Sequence, residues 1–113
     1  MTIYGIKTCS TVNKAKKFLK DNGYDFEFVD LKTTKPSEIE IKSWVEKVGI
    51  DVLFNSRSTT YRELKLKELN LDDNGKLEWL CKEPILLKRP VVTFDDKVVV
   101  GFKEENYREI FSK

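Results

Sequence analysis

The sequence predicts a mixed α/β domain: a small sheet, flanking helices and a helical insertion in the middle of the chain. Three observations carry that expectation. The first third changes period from strand to helix and back to strand. The middle, about residues 33–84, repeats apolar residues at helical spacing. The end returns to two short β-rich runs and a last helix. At 113 residues the chain has the size of one domain with one core, so a single domain spanning residues 1–113 is expected.

The elements follow in order. Residues 2–6, "TIYGI", suit a short buried strand. From Val12 the period becomes helical: Val12, Ala15 and Leu19 share one face, Phe18 flanks them, and Lys14, Lys16, Lys17 and Lys20 cover much of the rest. Gly23 is a natural stop. Tyr24, Phe26 and Phe28 then alternate as in a strand. Strand, helix, strand is the pattern of a parallel pair with a crossover helix.

Ser37 and Glu40 have capping-box spacing before Ile41, Trp44, Val45 and Val48, and Gly49 ends that run. Thr60 and Glu63 offer a second capping box, predicting a short helix near 60–66. A third helix is expected after "DDNG", carrying Leu77, Leu80 and Cys81 on one face until Pro84. "RPVVTF" and "KVVVGF" flank Asp95-Asp96 as a tight hairpin, and "EENYREIF" forms a final helix with Tyr107, Ile110 and Phe111 inward. This order of elements is that of a thioredoxin-like fold with a helical insertion.

Composition narrows the function. The net charge of +2 comes from 21 basic and 19 acidic residues that are interspersed, so no basic block argues for nucleic acid or a membrane surface. No apolar run approaches the roughly 20 residues that span a bilayer, and the N-terminus lacks the apolar core of a signal peptide. Two cysteines are too few for a disulfide scaffold. A cytoplasmic protein with reduced thiols is expected. There is no histidine, which removes Cys–His and Ser–His–Asp nucleophile activation in cis, and histidine metal ligands with it. No metal is expected.

Cys9 lies in "KTCST", after the first strand and before the first helix. The free N–H groups at a helix N-terminus carry roughly half a positive charge and stabilise a thiolate. Ser10 and Thr11 add hydroxyl donors, Lys7 and Lys14 add positive charge, and the N–H groups of residues 10–12 would hold an oxyanion. The alternative is a small core cysteine at a strand end. Cys81, on an apolar face with Leu77 and Leu80, reads as a buried structural thiol, or else as a resolving cysteine for Cys9. Arg89 directly precedes Pro90 at the start of a strand. In a thioredoxin-like fold that proline is expected to be cis and to face the cysteine, with Arg89 offering a forked cation to an anion there. Arg57, in a loop before a helix, is a second candidate; Arg62 reads as solvated surface.

"YGIKTCSTVNKAKKFL", "NSRSTTYREL", "EPILLKRPVV" and "VGFKEENY" together resemble the glutaredoxin-linked arsenate reductase family and its Spx-type relatives, in order and over nearly the whole chain. The resemblance implies that Cys9 attacks arsenate, that arginines hold the oxyanion, and that glutathione and glutaredoxin reduce the adduct, with glutathione a co-substrate and no organic cofactor bound. It places Arg89 at a family arginine. Arg57 matches the mid-chain arginine of the Spx-like relatives, whereas Asn55 stands where arsenate reductases carry theirs. Lys103 stands at the family's C-terminal arginine, and Val12 replaces a hydroxyl residue three after the cysteine. These departures fit the arsenate-reductase-like branch, for which a glutathione-dependent thiol reductase role is the usual proposal. A monomer is expected. The resemblance leaves open an Spx-like regulator that binds RNA polymerase; the Cys-x-x-Cys switch of many such regulators cannot form in "CSTV".

Overall fold

The computed structural model describes residues 1–111. In chain order the elements are β1 (Thr2–Gly5), α1 (Ser10–Asp21), β2 (Glu27–Asp30), α2 (Glu38–Val48), α3 (Ile50–Leu53), α4 (Thr59–Glu63), a 3-10 turn at Leu66–Leu69, α5 (Asp73–Lys82), a 3-10 turn at Pro84–Leu86, β3 (Val91–Phe94), β4 (Lys97–Val100) and α6 (Glu104–Ile110). They form two compact units, one from Met1–Asp30 with the segment from Arg89 onward, the other from Leu31–Lys88.

The first unit holds a four-stranded sheet in the order β2-β1-β3-β4. β1 and β2 are parallel, as the crossover helix requires, while β3 runs antiparallel to β1 and to β4. Phe28, Ile3, Val92 and Val99 stand in one cross-strand row. Against the sheet pack Val12, Ala15 and Leu19 of α1 with Tyr107 and Phe111 of the C-terminal segment. This is the thioredoxin-like arrangement expected from the order of elements. Tyr107 is its aromatic hub, with ring centroids at 4.7 Å from Phe102, 5.2 Å from Phe111 and 5.7 Å from Phe18. Offset and edge contacts of this kind add about 0.5–1.5 kcal/mol each beyond area burial.

The second unit is helical. Ser37 caps α2 in a full capping box with Glu40. Ile41, Trp44, Leu53, Leu66, Leu80 and Leu86 are buried. The Lys88 N–H donates to the Leu53 carbonyl at 2.7 Å and the Asn55 N–H to the Leu86 carbonyl at 2.9 Å.

Several local expectations are corrected. β1 ends at Gly5 rather than Ile6; α1 begins at Ser10, directly after Cys9, as the sequence places it. β2 begins only at Glu27. The cap of α4 is Ser58, whose Oγ accepts from the Tyr61 N–H at 3.1 Å, rather than Thr60, and the helix stops at Glu63. α5 starts inside "DDNG", with Asp72 accepting from the Gly75 N–H at 2.8 Å. Ile110 is exposed; Tyr107 and Phe111, four apart, take the inward face instead. Among the described residues no helix is long and apolar enough to cross a membrane.

Tyr107 yields a test with a definite sign. Its hydroxyl donates to the Gly101 carbonyl at 2.8 Å, and burial holds its ionisation well above the ordinary phenol range. The folded pKa exceeds the unfolded one. The contribution is therefore complete below the unfolded value of about 10 and is lost as pH climbs above it. Tyr107→Phe is expected to lose about 1–2 kcal/mol at neutral pH. Its stability should then fall less steeply than wild type above about pH 10, measured by urea unfolding across pH; parallel pH curves would contradict this.

Candidate active site

Helix α1 is seated by one close contact. A Cβ on Gly5 would lie 2.7 Å from Cγ2 of Val12 and 3.0 Å from its Cγ1. Only a residue without a side chain lets the fully buried Val12 press onto β1 there. That contact fixes where the helix begins, three residues earlier, at Cys9.

Cys9 is the N-cap of α1, with φ −80° and ψ 119°, and its side chain makes no capping bond. Its N–H donates to the Ile6 carbonyl at 3.2 Å, and its carbonyl accepts from the Asn13 N–H at 3.1 Å. Helix geometry leaves the N–H groups of Ser10, Thr11 and Val12 without intrahelical acceptors. They surround the start of the helix and carry the positive end of its dipole. Cys9 is half-buried and packs in part against the core cluster; Ser10 is exposed, and the Val12 side chain points into the core, so Val12 can offer an anion only its backbone. Cys9 thus touches the core and also caps the helix with a free thiol.

Strand register gathers the other candidates of this unit. Tyr4 pairs with Val91, and Val91 with Val100. The end of β1 leading to Cys9, the start of β3 and the end of β4 thus share one end of the sheet. Arg89 and Pro90 enter there through a cis peptide bond, Pro90 buried and Arg89 half-buried. The Gly101 N–H donates to the Pro90 carbonyl at 2.8 Å, which ties the exit of β4 to this point. Two residues on, Lys103 is the exposed N-cap residue of α6.

Arg57 belongs to the second unit and is exposed. Asn55 has a definite role there: its Oδ1 accepts from the Arg57 N–H at 3.1 Å, shaping the turn that leads into α4. Cys81 corrects an expectation. It is half-buried rather than buried, and it lines an open groove of about 510 Å³ with Glu38, Lys42, Asn74, Leu77, Glu78 and Lys82. Burial, with a smaller push from Glu38, raises its thiol pKa, so its reactive form is disfavoured at neutral pH. Among the described residues no three His, Cys, Asp or Glu side chains gather as a metal-binding group. Two residues of the site escaped the sequence reading. Gly5 could be singled out only with Val12 above it, and Asn13, whose Nδ2 donates to the Lys7 carbonyl at 3.2 Å, looks in sequence like one polar position on a polar face.

A thioredoxin-like sheet, with a free cysteine capping its first helix and a cis X–Pro step at the same sheet end, defines a fold of the thiol oxidoreductase type. The chain belongs to the ArsC family, whose model matches residues 4–110. It is 38% identical to the uncharacterized protein YusI of Bacillus subtilis (strain 168), over 96% of each chain. Relatives with functional names point two ways. The arsenate reductase of Neisseria meningitidis serogroup A is 30% identical over 90% of each chain. The regulatory protein MgsR of Bacillus subtilis (strain 168) is 31% identical over 90% of this chain and 82% of its own. Among solved structures, a putative ArsC family related protein from Bacteroides fragilis superposes with a TM-score of 0.84 at 30% identity, over 96% of this chain and 97% of that one.

The Gly5–Val12 contact can be tested directly. Gly5→Ala should destabilise by about 1–3 kcal/mol through overpacking. Adding Val12→Ala should recover part of that loss, so the double-mutant cycle in urea unfolding should show coupling. Additive losses would mean that the contact does not seat α1.

Proposed function

We propose that the protein is a thiol-dependent reductase of the arsenate-reductase-like branch, with Cys9 as nucleophile. The observation that carries this reading is the position of Cys9 as the N-cap of α1, its thiol uncommitted and the N–H groups of residues 10–12 around it. The Cys9 thiolate attacks arsenic of arsenate and displaces hydroxide, giving a thiol–arsenate adduct. A glutathione thiol then attacks the Cys9 sulfur. Two electrons pass to arsenic, arsenite leaves, and a Cys9–glutathione mixed disulfide remains. A glutaredoxin thiolate removes the glutathione and restores Cys9. Without arsenate, the Cys9 thiolate attacks the glutathione sulfur of a mixed disulfide and expels the other thiol, and the same last step then restores Cys9. Ser10, Thr11 and Val12 contribute backbone N–H groups to the anion. Arg89 contributes a two-pronged cation and Lys103 a point charge, and Arg57 is a further candidate cation. No bound organic cofactor enters the scheme, and a cytoplasmic glutathione pool supplies the electrons.

A regulatory reading is favoured by the likeness to MgsR. It predicts capture of the RNA polymerase α subunit by the purified chain, which the reductase reading does not require.

The deciding assay couples arsenate reduction to NADPH oxidation through glutathione, glutathione reductase and glutaredoxin. Wild type should turn over, Cys9→Ser should not, and Cys81→Ala should keep most of the activity. Arg89→Gln should raise the KM for arsenate about ten- to hundredfold, the worth of a charged hydrogen bond. Activity that survives Cys9→Ser would end this reading.

A further inference from the structure

Asn13 holds the turn that carries Cys9. Its backbone N–H bonds to the Cys9 carbonyl, as that of any residue at this point of a helix would. Its side chain does something else: Nδ2 donates back to the Lys7 carbonyl at 3.2 Å, six residues upstream. The turn from Lys7 to Cys9 is thereby tied at both ends, at Lys7 by the Asn13 amide and at Cys9 by the 3.2 Å bond from its N–H to the Ile6 carbonyl.

The reason for this arrangement appears on comparing the helix starts. Helices α2, α4 and α5 each have a side-chain cap, from Ser37, Ser58 and Asp72. Each of those caps occupies one N–H of its helix. At α1 the cap residue is a cysteine whose thiol makes no such bond. An oxygen cap there would fix the turn, but it would also occupy an N–H that an anion needs. Helix propensity does not account for Asn13 either, since asparagine is a poorer helix former than alanine.

We propose that Asn13 is the positioning residue for Cys9 and its N–H cradle, serving as a cap that works in reverse. It gives a donor to the turn instead of taking one from the helix, so the turn is fixed while the N–H groups of residues 10–12 stay open. Asn13 acts through the turn and touches no reacting atom. The inference rests on the reductase reading only for the nature of the anion.

The test uses the full-length chain, residue-resolved amide hydrogen exchange, and inorganic phosphate as the probe anion. In Asn13→Ala the exchange of the Cys9 amide should rise about three- to tenfold, the equivalent of one neutral hydrogen bond. Protection across residues 15–19 should hold, and Tm should not fall, because alanine favours the helix. Phosphate binding, followed at the amides of residues 10–12, should weaken by a similar factor. Asn13→Asp has the same size but no donor, and it should loosen Cys9 as much as alanine does. Unchanged Cys9 exchange in Asn13→Ala, or full protection in Asn13→Asp, overturns the proposal. If wild type binds no phosphate, the oxyanion part of the reductase reading fails, while the exchange result still decides the role of Asn13.

Discussion

The contact of Val12 on Gly5 governs the geometry of the site. Val12 is fully buried and belongs to the first turn of α1, and Gly5 is the last residue of β1. With 2.7 Å between the position of a Cβ and a Val12 methyl, strand and helix meet at backbone distance. Four residues bridge them, and the last of these is Cys9. A looser contact would leave the helix start free to shift, and with it the N–H groups of residues 10–12.

The remaining candidates are set by topology rather than by proximity in sequence. Because β3 runs against β1, its entry point returns to the end of the sheet where β1 hands over to Cys9; because β4 runs against β3, its exit does too. Arg89, Pro90 and Lys103 reach that end from about 80 and 94 positions away in the sequence. The hydrogen bond from Gly101 to the Pro90 carbonyl closes the arrangement. Tyr107, packed among Phe18, Phe102 and Phe111, anchors α6 and so the Lys103 approach.

The strands and helices were legible in the sequence wherever burial imposes a period. Val12, Ala15 and Leu19 marked α1, and Ser37 with Glu40 marked the start of α2, because each pattern has a single physical cause. Cap identity was less legible. Ser58 and Thr60 both carry hydroxyls, and only backbone geometry assigns the bond to Ser58. The inward place given to Ile110 failed because an apolar residue one position off a helical stripe is no worse in sequence than one on it. Cys81 shared a face with Leu80, yet that face turns at its edge into an open groove. The Cys9 turn was readable from its polar neighbours. The roles of Gly5 and Asn13 were not, since one depends on a contact across the fold and the other on the direction of a single amide.

We propose that Cys9, not Cys81, is the reacting thiol. It is tested most directly by treating the reduced full-length chain with glutathione disulfide at neutral pH and mapping the mixed disulfide by peptide mass spectrometry. Thiol–disulfide exchange needs a thiolate, which burial disfavours at Cys81, whereas Cys9 caps α1 with a thiol that makes no capping bond. Glutathione is expected on Cys9, with Cys81 left as a free thiol. Glutathione appearing first on Cys81, or an internal Cys9–Cys81 disulfide in place of the adduct, would contradict it.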